Sequence, residues 1–390
     1  MKKFIFLFLS VLFFAFNAHY ANAVEAPTGV TFIYINGSNN MTYNNRMKFK
    51  TNFERDVKKM HPEIMKRFQK DELINEHFLQ NGKFVINEEP IAFYWGDRSL
   101  KNIEVIDKDL DAAKKYSPRI AHQARSIFAH CLHDAVWVQK NNNMADVLAD
   151  LHSVVNREVE NGNKVVLLGY SAGSFVVYQY YMNKSLSIEP KNVDLSRYSN
   201  EIQEIVLNNP VKPTCFDALV DAELIKYDQK TGKFMPDSNV EKFRKHYQNL
   251  DKVTDKSCFA NGTVKGLIGF ASPARLFYSD MVDEKTSISN ISRMMAKSII
   301  ENDVFYLTVN YSNDPFGFAN ADNFTLKSLK NHKHIANVDY SGKKGFIYNK
   351  SNNYVPRTFV TAHLAYWDTP KRFAKAIVKA FNEGYVNFYK

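Results

Sequence analysis

One stretch, Lys164 to Tyr181 (KVVLLGYSAGSFVVYQYY), restricts the folds open to this chain more than any other. Val165, Val166, Leu167 and Leu168 form a short apolar run of the kind that makes a strand buried on both faces. Gly169 and Gly173 then bracket Ser171, and an apolar segment from Phe175 to Tyr181 resumes at a length that suits a helix. A strand that turns at once into a helix brings two backbones together, so small residues two positions either side of the turn are a steric requirement. The turn residue takes strained angles, and its hydroxyl stands clear of the sheet edge at the positive end of the helix. Five residues of G-x-S-x-G are a weak signal alone, and a glycine-rich turn with an incidental serine is the plain alternative. The strand before it and the helix after it are what raise the signal.

In that setting the stretch resembles the nucleophile elbow of the α/β-hydrolase superfamily, lipases and esterases among them. The resemblance implies an α/β fold: a mostly parallel central sheet flanked by helices, with an inserted helical cap. Ser171 would be the nucleophile. Gly29 to Ile35 (GVTFIYI) reads as a buried strand running into Asn36-Gly37-Ser38, where the superfamily carries the loop of its oxyanion hole. By position, the backbone N–H groups of Ser38 and Ala172 would form that hole; a plain Asn-Gly turn is the other reading. The triad of this superfamily runs serine, acid, histidine along the chain. Val304 to Tyr311 (VFYLTVNY) opens into Ser312-Asn313-Asp314-Pro315, which resembles the lipase turn that delivers the acid, although the usual Val-Pro tail is replaced by Pro315-Phe316. Asp314 is therefore the expected acid, against an ordinary turn aspartate before proline. His363, in the loop expected over Thr358 to Trp367, has the apolar support that a base needs to stay oriented, whereas His332 and His334 sit in a polar Lys-rich stretch.

The remaining chain supplies the frame. A polar helical stretch is expected from about Asn45 to Gln69, and an aromatic strand from Pro90 to Asp97. Helical pattern dominates from Ser117 to Glu160, with Met144, Val147, Leu148, Leu151, Val154 and Val155 on one face and Gly162 as the stop. His130, His133 and Asp134 fall in this region, upstream of the serine, and read as structural. Ile202 to Asn208 (IQEIVLN) reads as a strand, as does Val264 to Phe270 (VKGLIGF), which ends in an Ala271-Ser272-Pro273 turn resembling the G-S-P turn of many lipases. Gly345 to Tyr348 is the last strand, and Pro370 to Phe381 a terminal helix. Between 211 and 261 the chain is polar and lysine-rich with two amphipathic stripes, which suits a cap inserted above the site. A basic amphipathic helix there could also meet a lipid surface.

Composition narrows the setting. Residues 1–23 have Lys2 and Lys3, an apolar run from Phe4 to Phe16 and Ala21-Asn22-Ala23, the layout of a secretory signal peptide, so an exported chain, periplasmic or secreted, is expected from about Val24. The formal charge of +10 is spread along the chain without a dense basic run, and no nucleic-acid motif accompanies it. Of the three cysteines, Cys215 and Cys258 bracket one segment and are the expected disulfide pair, leaving Cys131 free. No Cys/His cluster has metal-ligand spacing, and no cofactor is expected.

The resemblance fixes a reaction class better than a substrate. It implies a serine hydrolase that cleaves a small-molecule or lipid ester through an acyl-enzyme, the apolar acyl chain being favoured by export, by the aromatic elbow helix and by an amphipathic cap. A peptidase or amidase of the same fold is the second reading, and a non-catalytic member that binds an apolar ligand is the third.

Overall fold

The computed structural model describes residues 26–38, 46–116, 118–139, 141–185, 199–201, 203–204, 225–236, 263–274, 296, 298–318, 341–352 and 359–389. In chain order the first elements are strand β1 (Thr28–Ile35), helix α1 (Arg46–Lys70), helix α2 (Glu72–His77), and two short strands, β2 (Phe84–Ile86) and β3 (Ile91–Phe93). A 3₁₀ turn (Gly96–Ser99) leads into α3 (Leu100–Lys114), α4 (Arg119–Gln139) and α5 (Asn141–Glu160). Strand β4 (Lys164–Tyr170) and helix α6 (Ala172–Ser185) follow, then a β5–β6 hairpin (Ile225–Asp228, Lys233–Pro236). The chain ends with β7 (Val264–Phe270), β8 (Phe305–Tyr311), β9 (Phe346–Asn352), α7 (Phe359–Asp368) and α8 (Pro370–Tyr389).

The central sheet runs β2–β1–β4–β7–β8–β9, with β3 continuing the β2 edge beside β1, and its pairings are parallel. A fully parallel sheet needs apolar cover on both faces. Successive side chains show the two layers directly, because neighbours along a strand point to opposite faces. On β1 the Phe32 ring meets His61 and Phe68 of α1, while the Thr31 hydroxyl donates to Glu158 of α5. On β8 the Phe305 ring meets Phe78 and Phe381, on the side of α8, while Tyr306 meets Tyr178 of α6. Helices α1, α7 and α8 thus cover one face and α5 and α6 the other. The fold class is α/β with a parallel sheet flanked by helices.

The order of strands has a functional consequence. From β1 the chain builds outward to β2 and β3 on one side, then returns to place β4 on the other side. Such a reversal, here at the carboxyl ends of β1 and β4, is the usual ligand position in an open α/β sheet.

Several expectations change. The segment expected as a strand from Ile202 begins as helix, with residues 200, 201, 203 and 204 helical. The aromatic strand expected over 90–97 is short, because at Trp95 the backbone turns α-like and enters the 3₁₀ turn. Within 211–261, residues 225–236 form an antiparallel hairpin; the rest of that segment, with both amphipathic stripes of the expected cap, residues 1–25, Cys215, Cys258, His332 and His334 lie outside the described residues. Strand β7 agrees with expectation at both ends, β4 extends beyond its apolar run of Val165 to Leu168 to Lys164 and Tyr170, and Gly162, at φ +78°, stops α5 as its position implied.

Candidate active site

Ser171 sits between the last residue of β4 and the first of α6 with φ +52°, a left-handed angle that a side chain makes costly. Three hydrogen bonds hold it there: Ser171 N–H donates to Phe270 O at 2.9 Å, and Ser171 O accepts from both Ser174 N–H (2.9 Å) and Ser174 Oγ (2.6 Å). The flanking glycines are steric necessities. A Cβ on Gly173 would run into the carbonyls of Ile35 and Asn36, and one on Gly169 would sit 2.5 Å from Ser174 Cα. Ser174, which departs from the Gly common in lipases, uses its hydroxyl as a second tie, 2.7 Å from Ser272 Oγ at the end of β7.

Three side chains then line up, two from the ends of β4 and β8 and one from helix α7. His363 Nε2 lies 3.0 Å from Ser171 Oγ. On the other side of the ring, Nδ1 lies 3.0 and 3.1 Å from the two oxygens of Asp314. With Nδ1–H donating to the carboxylate, Nε2 presents its lone pair to the serine hydroxyl. Asp314 is buried, with a side chain fully withdrawn from solvent, and Ser171 is 8% exposed. The structure therefore brings Ser171, Asp314 and His363 together, in the chain order expected.

Each is fixed by its own element. The turn after β8 closes on itself, with Asp314 N–H donating to Tyr311 O and Asp314 Oδ1 accepting Phe316 N–H at 2.9 Å. His363 is not on a loop, as expected, but on helix α7. That helix is pinned at the site by Tyr170, whose hydroxyl donates to His363 O at 2.7 Å, and the Phe316 ring stands edge-on to the imidazole at 4.9 Å. Behind them Tyr170, Phe270, Tyr366 and Trp367 pack ring against ring. Such pairs add about 0.5–1.5 kcal/mol each beyond the area they bury.

The loop after β1 passes directly over the serine: a Cβ on Gly37 would lie 2.7 Å from Ser171 Cβ. Asn36, fully buried, sets its course. Its Oδ1 accepts Trp95 N–H (2.9 Å), its own carbonyl accepts the Trp95 indole N–H (2.7 Å), and its Nδ2 donates to Gly37 O (2.7 Å). Ser38 follows as a half-buried residue at the end of this loop, and Ala172 opens α6, where the first backbone N–H groups have no partner within the helix. Ala271, standing where many lipases have glycine, has φ +51°, which is the physical reason glycine is usual there.

The upstream candidates lie elsewhere in role. His130 bridges Ser126 O and Asp107 between α4 and α3, and His133 meets Asp134, which accepts from Ser99. Asp97 is on the 3₁₀ turn, 3.7 Å from Lys50. Among the described residues no group of three or more His, Cys, Asp or Glu side chains could hold a metal ion, and no helix is long and apolar enough to cross a membrane.

Sequence reasoning passed over three residues that shape the site: Asn36 as an anchor, Tyr170 as a clamp on α7, and Tyr366, whose hydroxyl donates to Asp314 Oδ2 at 2.9 Å. The signal for Tyr366 was its spacing of three from His363, which means contact only if the segment is helical. Comparison of the chain with protein-family models, curated proteins and solved structures returned no match.

Proposed function

We propose that this chain is an exported serine hydrolase of the α/β-hydrolase kind that cleaves carboxylic esters with apolar acyl groups. The observation that carries the reading is the relay of Ser171 Oγ, His363 and Asp314, with contacts of 3.0, 3.0 and 3.1 Å. A serine hydroxyl is a poor nucleophile unless a base takes its proton as it attacks, and a neutral imidazole with Nδ1–H held by a carboxylate is such a base.

In the reaction, His363 Nε2 takes the Ser171 hydroxyl proton while Oγ bonds to the ester carbonyl carbon and the carbonyl pair moves onto oxygen. The N–H groups of Ala172 and Ser38 receive that charge, at the positive end of α6. Collapse of the tetrahedral species expels the alkoxide, which takes the proton from Nε2 and leaves as alcohol. Water then repeats the sequence on the acyl-serine, giving the carboxylic acid and free Ser171. Asp314 keeps the tautomer and stabilises the imidazolium throughout.

For substrate class, the support is the surface beside His363. Phe316, whose ring stands 4.9 Å from the imidazole, is 45% exposed, and Leu364, next to His363 in sequence, is 50% exposed, so apolar surface flanks the base. Contact with a lipid surface and residence outside the cytoplasm are part of the same proposal, resting on the leader-like first 23 residues.

A fluorophosphonate probe tests the reading. Wild type is expected to be labelled and Ser171→Ala not; a folded wild-type protein that resists the probe would sink it. Turnover on p-nitrophenyl esters of increasing chain length, set against peptide substrates, then separates esterase from peptidase.

A further inference from the structure

Helix α7 reaches Asp314 twice. His363 supplies one contact, and Tyr366, one turn further along the same face, supplies the other. The Tyr366 hydroxyl has a single possible arrangement. Its oxygen accepts the backbone N–H of Tyr311 at 2.7 Å, so its proton is committed to Asp314 Oδ2 at 2.9 Å. The ring is fully buried, stacked on Tyr311 at 4.1 Å and edge-on to Phe373, which leaves it no second rotamer to occupy. Burial, and then the neighbouring Asp314 charge, push its pKa far above the ordinary tyrosine value, so the donor stays protonated wherever the site works.

We infer that Tyr366 is a positioning residue: with Phe316 N–H on Oδ1, its hydroxyl on Oδ2 stops the Asp314 carboxylate from rotating and holds it square to His363 Nδ1. This rests on the serine-hydrolase reading above. Without Tyr366, one oxygen keeps its anchor and the other is held by the imidazole alone. The ring that must deliver Nε2 to Ser171 Oγ then loses its reference on the far side. Displacements of a reacting group on the order of 1 Å cost about 100-fold in rate, and a partial release of this kind is expected to cost about 10-fold.

Single-turnover acylation by a p-nitrophenyl ester, followed as p-nitrophenolate release with enzyme in excess, gives the rate directly, with steady-state turnover of the same ester supplying KM. Tyr366→Phe is expected to acylate about 10-fold more slowly at unchanged KM, and to cause no further slowing when combined with Asp314→Asn, because its effect passes through that carboxylate. Tyr181→Phe removes another buried hydroxyl, one paired with Ser298 Oγ at 3.2 Å away from the site, and is expected to keep the wild-type rate despite a similar loss of stability.

Should Tyr366→Phe fail to fold, 3-fluorotyrosine at 366 preserves the packing and both hydrogen bonds while donating more strongly. Among the described residues, the titratable groups facing His363 are Asp314, Tyr170 and, through Asp314, Tyr366. A stronger donor draws charge from Asp314 and is expected to move the ascending limb of the acylation profile to lower pH. A labelled wild type with Tyr366→Phe acylating at the same rate, or slowing additively with Asp314→Asn, or an unmoved limb with fluorotyrosine, overturns the role of Tyr366 and leaves the hydrolase reading standing. A wild type that is not labelled overturns the hydrolase reading itself.

Discussion

Strain at the elbow can be weighed by exchanging one residue twice. Ser171→Ala and Ser171→Gly both delete the hydroxyl and its contact with His363, so that loss cancels between them. They differ in the Cβ. Alanine keeps a side chain at φ +52°, and relieving that left-handed strain with glycine is worth about 1–2 kcal/mol. Against this, glycine gives up about 0.8 kcal/mol of buried carbon and about 0.5–1 kcal/mol of chain entropy. The three offset one another to within about 1 kcal/mol, so the two variants should have nearly equal stability in equilibrium urea unfolding. Ala374→Gly provides the scale. It sits fully buried inside α8 with an ordinary helical backbone, and there the same loss of a methyl has no compensation, costing about 2 kcal/mol from helix propensity and burial together. Neither Ser171 variant should take the fluorophosphonate probe. If Ser171→Gly falls below Ser171→Ala by as much as Ala374→Gly falls below wild type, the elbow is not strained and the steric account of its glycines is wrong.

Gly173→Ala should be strongly damaging, because its Cβ would meet the backbone carbonyls of Ile35, at the end of β1, and Asn36, just after it; a loss of about 3 kcal/mol or more, or failure to fold, is expected by urea unfolding. Asn36→Ala leaves the Trp95 N–H buried without its acceptor, costing about 1–3 kcal/mol, and by loosening the Gly37–Ser38 loop should slow acylation with little change in ester KM. His61, buried against β1, donates Nε2–H to Asn87 O at 2.8 Å and lies 3.3 Å from the Tyr34 hydroxyl. Burial, only partly countered by the Asn87 hydrogen bond, holds its pKa below the ordinary 6.5. The unfolded chain therefore binds the extra proton first, so the stability this group contributes is complete above about pH 6.5 and declines as pH falls toward the lower folded value. Urea unfolding at pH 7 and pH 5 should show a smaller acid-side loss for His61→Gln than for wild type; an equal loss would assign the acid sensitivity elsewhere.

What the chain's one-dimensional pattern settled was whatever depends on neighbours in sequence. Apolar runs of seven or eight residues ending in turn residues marked β1, β7 and β8 to within a residue, since strands buried on both faces have no polar alternation to blur their ends, and the shorter Val165 to Leu168 run marked the centre of β4. The Gly-x-Ser-x-Gly spacing identified the elbow, and strand order pointed to Asp314 and His363. Where local pattern competes with packing, it failed. The TFVTAHLAYW segment, rich in β-branched and aromatic residues, looks unhelical by propensity, yet burial against α1 and α8 makes it helix α7. Helical geometry then places Tyr366 over the same carboxylate as His363. Likewise Asn36 reads as a turn residue until Trp95, 59 positions away, appears on its side-chain oxygen. Sequence by itself determined which residues could react, since reactivity is written in residue type and local spacing. Tertiary structure alone decided their distances and the groups that hold them still, because those contacts join strand ends and helices that come together only when the sheet has formed.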